Sequence, residues 1–232
     1  MGLNGRQVHS LVQGKYSLNM VEAILWDNDG VLVDTEGLFY QATRVALARA
    51  GVDLTPELYL DYAMRQGRST LDLVAAQGWS REQVDALRDE RNLMYSNLLR
   101  TERSIFPNVL PVLRSFSGKV RMAVVTSSRR EHVEITHERN GLLGFFEFIL
   151  ASEDCQNLKP HPEPYQMALQ RLNLPAARCV VIEDSERGLT SALAAGLRCV
   201  VVPHPLTQSC AFQGATAIVP GLGAIPDIIA AL

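Results

Sequence analysis

Six short apolar runs, separated by helical patterns, constrain this chain more than any other feature. They fall at residues 23–26, 122–125, 146–150, 180–182, 200–202 and 217–219. A run that is apolar at every position, and rich in Val and Ile, suits a strand covered on both faces, as in a parallel sheet flanked by helices. Pro164 opens one intervening pattern, in which Tyr165, Ala168, Leu169 and Leu172 recur at three- and four-residue steps. Ser185 is placed to cap another, which carries Leu189, Ala192 and Leu193 and stops near Gly196. Strand then helix, repeated, predicts an α/β fold with a doubly wound, mainly parallel sheet.

One stretch breaks the alternation. Between the first and second runs, residues 38–50, 56–64, 70–77 and 80–99 all read as helices. Ser80 is a fitting N-cap for the last, with Gln83 completing a capping box. A crossover between parallel strands needs only about a dozen residues, so this segment is expected to be a helical subdomain standing over the end of the first strand. The expected division is a core of residues 1–36 and 106–232 with an inserted cap of 37–105, residues 1–20 being a poorly ordered extension. Hinges are expected near Gly37 and Phe106-Pro107.

Composition narrows the partners. A net charge of −3, with Lys and Arg spread along the chain, shows none of the basic excess of a nucleic-acid binder. No run of about 20 apolar residues is present to span a membrane, and residues 1–20 lack the apolar core of a secretory signal. The four cysteines form no CxxC pair. Cys179 and Cys199 open Val-rich runs, which suggests reduced core thiols and a cytoplasmic, reducing setting. A monomer is expected.

The chemistry-bearing residues stand at strand ends and in the loops that follow, where ligands bind in doubly wound sheets. The first run ends in Asp27-Asn28-Asp29-Gly30, which is either a solvated acidic turn or a paired-carboxylate site. A calcium loop is a poor fit, since Val31 and Leu32 fall where an oxygen ligand and Gly are needed. The second ends in Thr126-Ser127-Ser128, either a plain helix cap or a seat for phosphate oxygens. Lys159 lies in a loop stiffened by Pro160 and Pro162. The fourth ends in Glu183-Asp184, acids that either cap the next helix or bind a cation. Together these supply a carboxylate nucleophile, an acid/base carboxylate, a phosphate donor, a cation and metal ligands. Like charges about 4 Å apart interact by roughly 4 kcal/mol at an effective dielectric near 20. Lys159 and a divalent cation are therefore needed to bring such acids and a phosphate together. Oxygen ligands and a phosphate substrate point to Mg2+ rather than zinc.

The motifs Asp27-Asn28-Asp29-Gly30-Val31-Leu32-Val33-Asp34-Thr35, Val124-Val125-Thr126, Lys159-Pro160 and Ile182-Glu183-Asp184-Ser185 resemble the four signatures of the haloacid dehalogenase-like hydrolase superfamily. The resemblance covers roughly residues 22–220 and is to the branch with a helical cap between the first two motifs. It implies a Rossmann-like core. It further implies that Asp27 attacks phosphorus to form an aspartyl-phosphate, while Asp29 protonates the leaving alcohol and then deprotonates water. Asp27, the Asp29 backbone carbonyl and Asp184 would hold magnesium, with Glu183 direct or through water. Thr126 and Lys159 would hold the transferring phosphoryl group.

The resemblance also sorts the possible activities. Asp29 favours phosphoester chemistry, because the dehalogenase branch lacks an acid there. Phosphomutase relatives carry a His ten positions after that acid, where this chain has Phe39. The expectation is thus a phosphatase acting on a small phosphorylated metabolite such as a sugar phosphate. A mutase of the β-phosphoglucomutase type and a non-catalytic binding protein on the same scaffold are the alternatives. From the cap, Arg68 in Gln66-Gly67-Arg68-Ser69 is a candidate substrate contact; from the core, Ser127, Ser128 and Arg130 are. Asn28 stands where the family usually has an apolar residue. Its side chain is expected to point away from the two carboxylates. His132, His137, His161 and His204 show no partner pattern and are expected to be structural or surface residues. The absence of GxGxxG and GxSxG patterns excludes nicotinamide enzymes and serine hydrolases of those kinds.

Overall fold

A computed structural model describes residues 21–66, 68–208 and 210–232; the first 20 residues, Gly67 and Ser209 lie outside it. Six parallel strands form one sheet in the order β3-β2-β1-β4-β5-β6. The strands are β1 (Ala23–Trp26), β2 (Arg121–Val125), β3 (Ile149–Leu150), β4 (Cys179–Glu183), β5 (Arg198–Val201) and β6 (Ala217–Ile218). The two edge strands are shorter than their apolar runs suggest. Phe146 packs against the core outside β3, while Phe148 and Val219 lie one residue beyond the strand ends and still bond to the neighbouring strands: the Phe148 carbonyl accepts from Val124 N–H at 3.1 Å, and Val219 N–H donates to Val201 at 2.9 Å.

Alternation along the strands divides the core into two layers. Ile24, Trp26, Val124, Val180 and Ile182 face one side, where α5 (Val109–Phe116) and α9 (Ile225–Ala231) bury their apolar faces. Ala23, Leu25, Val125, Val181 and Cys199 face the other, under α7 (Glu163–Leu172) and α8 (Glu186–Ala194). Helices on both faces explain why these strands are apolar on both sides along their interior positions, with Arg121, Glu183 and Arg198 at strand ends. Cys155, Cys179 and Cys199 are free, with Cys179 and Cys199 buried.

The long insertion is helical among its described residues. It contains α1 (Glu36–Arg49), α2 (Pro56–Tyr59), a π-helical turn (Leu60–Arg65), α3 (Asp72–Ala75) and α4 (Arg81–Thr101). The helix expected over 70–77 shrinks to α3, and the one expected over 56–64 changes to π-helical pitch after Tyr59. These helices enclose an apolar cluster of their own, including Leu47, Leu54, Tyr59, Leu71, Val74 and Leu87. The chain crosses between the two bodies along a narrow seam, where Val33 bridges Ile105 and Asp34 N–H donates to Ser104 at 2.6 Å. Gly37 sits within the first turn of α1, inside the helix and not at the crossing. Beyond the seam, α4 lies along α6 (Arg130–Asn140): the Tyr95 and His132 rings meet edge-on at 4.7 Å, and Ser96 Oγ donates to Glu131 at 3.1 Å.

Candidate active site

Strand order reverses between β1 and β4, and the ligand crevice of a doubly wound sheet opens at such a point, beyond the carboxyl ends of the strands. Trp26 pairs with Val124 on one side and Ile182 on the other. Asp27 therefore emerges level with Glu183, and its N–H donates to Ile182 at 2.9 Å. Thr126 leaves β2 alongside, its N–H on Leu150 at 2.9 Å. A cleft of about 690 Å³ opens over these ends. Asp27, Asp29, Thr126, Ser127, Ser128, Lys159, Glu183 and Asp184 all line it, so residues far apart in sequence converge on one place.

Lys159 organises the floor. Its ammonium donates to Asp27 Oδ1 at 2.6 Å, to Glu183 Oε1 at 2.6 Å and to the Val125 carbonyl at 2.7 Å. Those three bonds use all three of its donors. Burial pulls the lysine down, but Asp27 and Glu183 outweigh it and hold the ammonium above its ordinary range. Arg187 donates to the Lys159 carbonyl at 2.6 Å and braces the loop from behind. Glu183 is saturated: Tyr165 Oη donates to Oε1 at 2.7 Å, while Asp184 N–H and Ser185 Oγ reach Oε2 at 3.2 and 3.3 Å. Two glycines admit these acids. A Cβ on Gly188 would collide with the Glu183 carboxylate, and one on Gly30, whose φ is +85°, would collide with that of Asp184.

Negative charge is concentrated here. Asp27, Glu183 and Asp184 offer carboxylate oxygens within 4.8 Å of one another. Burial pushes Asp27 up to about 8, against the pull of Lys159 and with Glu183 adding to it. Burial, then Asp27 and Glu183, likewise hold Asp184 well above the usual carboxylate range. Among the described residues, six acids line the cleft (the three above, Asp29, Glu36 and Glu186) against two cations, Lys159 and Arg187. Lys159 is already shared between two of the acids, so an oxygen-only cluster with this surplus fits a hard divalent cation.

Asp29 sits apart from that floor. Its Oδ1 accepts from Thr35 Oγ1 at 2.5 Å, and its Oδ2 from Ser128 Oγ at 2.7 Å and Thr126 Oγ1 at 3.5 Å. Asn28 departs from expectation. Its Nδ2 donates to Asp29 Oδ2 at 3.2 Å instead of turning away. The strand ends at Trp26, so the alternation that would have separated neighbouring side chains no longer applies. The partner on its other side is His137, a buried residue 2.9 Å away. Burial pushes the His137 ring down to about 4.

Of the remaining candidates, Ser127 and Ser128 face the cleft, whereas Arg68 and Arg130 stand outside its lining. Arg68 lies over the Tyr62 ring and 3.8 Å from Asp72. Arg130 bonds Asp154 at 2.5 Å and the Ile149 carbonyl at 3.3 Å. Sequence reasoning missed Glu36, Leu60 and Ala63, which line the cleft from the cap side, and Arg187 from the core. Glu36 is bonded by Tyr59 Oη. Its place directly after Asp34-Thr35 was the available signal.

Known proteins bear the same stamp. Residues 24–202 match the family profile described as haloacid dehalogenase-like hydrolase. The chain is 31% identical to protein CbbY of Rhodobacter capsulatus, over 88% of this chain and 95% of that one. It is 29% identical to the phosphorylated carbohydrates phosphatase of Thermotoga maritima, over 85% and 93%. The crystal structure of CbbY from Rhodobacter sphaeroides in complex with phosphate superposes with a TM-score of 0.78 at 26% identity, covering 89% of this chain and 96% of that one. With the family profile spanning most of the chain and a relative 31% identical over 88% of it, this protein belongs to the haloacid dehalogenase-like hydrolases.

Proposed function

We propose that this protein is a Mg2+-dependent phosphatase of small phosphorylated metabolites, sugar phosphates foremost, working through an aspartyl-phosphate on Asp27. The observation that carries the reading is the Lys159 ammonium bridging Asp27 and Glu183 beside Asp184 at the floor of the cleft. A carboxylate that attacks phosphorus must have its own charge and that of the phosphate offset. The names of the relatives, phosphate-bound in one case and specific for phosphorylated carbohydrates in another, support the substrate class.

In this reading Asp27 attacks phosphorus as the ester P–O bond breaks, and Asp29 gives a proton to the departing alcohol. Asp29 then takes a proton from water as that water's oxygen displaces Asp27 from phosphorus. Thr126, Ser127 and Ser128 seat the phosphoryl oxygens, while the Lys159 ammonium offsets charge from the floor of the site. Phosphoryl transfer asks mainly for positioning and charge neutralisation. Asp27, Asp184 and the Asp29 carbonyl would hold magnesium, with Glu183 anchoring Lys159. When bound, the ion neutralises charge on the transferring group. Residues 37–105 act as the cap over a core of 1–36 and 106–232, bringing Leu60 and Ala63 to the substrate side next to Glu36 at the boundary.

The test is phosphate release from p-nitrophenyl phosphate and from a panel of hexose, pentose and glycerol phosphates, with Mg2+ and with chelator. Activity should vanish with chelator and fall at least about a thousandfold in Asp27→Asn; near-normal turnover in that variant would remove the mechanism. Phe39, packed edge-on against Tyr95 at 5.2 Å, offers no base where mutase relatives carry His. Isomerised product without free phosphate would favour the mutase alternative.

A further inference from the structure

Asn28 stands between the two carboxylates of the proposed mechanism, with its side chain engaged at both ends. Nδ2 meets Asp29 Oδ2 at 3.2 Å and Oδ1 meets His137 Nε2 at 2.9 Å. Asn28 is 1% exposed and His137 0%, so water does not compete for either contact. The Phe146 ring, 5.4 Å from His137, packs against the imidazole.

Buried-group chemistry decides which way round the chain of bonds runs. His137 Nδ1 has no hydrogen-bond partner among the described residues. An orphaned buried N–H is rarer than an orphaned acceptor, so the ring proton belongs on Nε2. That N–H requires an acceptor, which holds Asn28 Oδ1 toward the ring and turns the amide NH2 toward Asp29. The Thr35, Thr126 and Ser128 hydroxyls around Asp29 can donate or accept, whereas an amide NH2 only donates. Among the described side chains bonded to Asp29, Asn28 is the one that can only donate, so its contact fixes which way the carboxyl is turned.

We propose that Asn28, oriented by His137, is a positioning residue that holds the Asp29 carboxyl in one orientation for proton exchange with the leaving oxygen. As the ester bond breaks and its electron pair goes to the leaving oxygen, the Asp29 proton moves to that oxygen and Asp29 becomes a carboxylate. In the second half Asp29 recovers a proton from water as the water oxygen bonds to phosphorus and the Asp27–phosphorus bond breaks. The inference rests on the phosphatase reading above and adds to it a device made by residues 28 and 137.

The test compares kcat/KM on p-nitrophenyl phosphate with kcat/KM on the sugar phosphate that the wild type turns over best. A nitrophenolate leaves without a proton, while a sugar alkoxide needs one. Asn28→Leu and His137→Phe should each lower the ratio of sugar phosphate to p-nitrophenyl phosphate activity, by about tenfold or more for Asn28→Leu. His137→Gln, whose amide nitrogen still donates, should retain most of it. An unchanged ratio in active Asn28→Leu or His137→Phe, or equal loss on both substrates, would overturn the inference and leave the phosphatase reading intact. A wild type inactive on every phosphate ester would instead remove that reading, and this one with it.

Discussion

At Gly188, α8 begins against the Glu183 carboxylate, and a methyl group there has no room. Helix propensity favours Ala over Gly by about 1 kcal/mol, but overpacking a tight site costs about 1–3 kcal/mol, and here the displaced group is the anchor of Lys159. Gly188→Ala is expected to lower the melting temperature and to cut activity by about a hundredfold; a stabilised, active variant would contradict the packing. His137 makes a second prediction. Its ring is held down to about 4 by burial, against about 6.5 in an unfolded chain. As pH falls below 6.5 the unfolded state takes up the proton first. The stability from the neutral ring is thus complete above 6.5 and is lost progressively toward pH 4. The loss is on the order of 3 kcal/mol. Denaturant unfolding from pH 7 to 4.5 should show a shallower decline in His137→Gln than in the wild type.

The elements were legible where a local pattern suffices. Ser80 and Gln83 form the capping box that their spacing announces: Ser80 Oγ accepts from Gln83 N–H at 3.3 Å, and Gln83 Oε1 from Ser80 N–H at 2.8 Å. Ser80→Ala should cost about 1 kcal/mol, seen as a melting temperature lower by roughly 2–4 °C. Sugar phosphate kcat/KM should stay unchanged, because α4 meets α6 through Tyr95 and Ser96, far along the helix. Elements shaped by tertiary packing were harder to read. The edge strands are short: Phe146 only packs against the core, and Phe148 and Val219, one residue beyond the strand ends, keep a single backbone bond to the neighbouring strand. Leu71 and Val74 are buried in the cap cluster, yet their helix is one turn long. Periodicity reports burial and not length.

Across the whole molecule, the parallel sheet and the convergence of Asp27, Thr126, Lys159 and Glu183-Asp184 could be read because strand ends of one sheet share one side. The tie between Asn28 and His137 could not. The two lie on different elements, and nothing local to either marks the other as its partner. The sheet order has a further consequence for how the chain comes into being. Ala23 sits beside Arg121 and Cys179 in the ladder, so the central strand is translated first and waits for both neighbours. Distant pairings make folding slow, and a growing chain leaves the ribosome at about 5–20 residues per second. The insertion, whose apolar cluster is drawn from a contiguous stretch, has what it needs to collapse while β1 is still without a ladder. Only after Asp184 has emerged do the acids meet, so a nascent chain carries Asp27, the proposed nucleophile, for most of its synthesis with nothing to make it reactive.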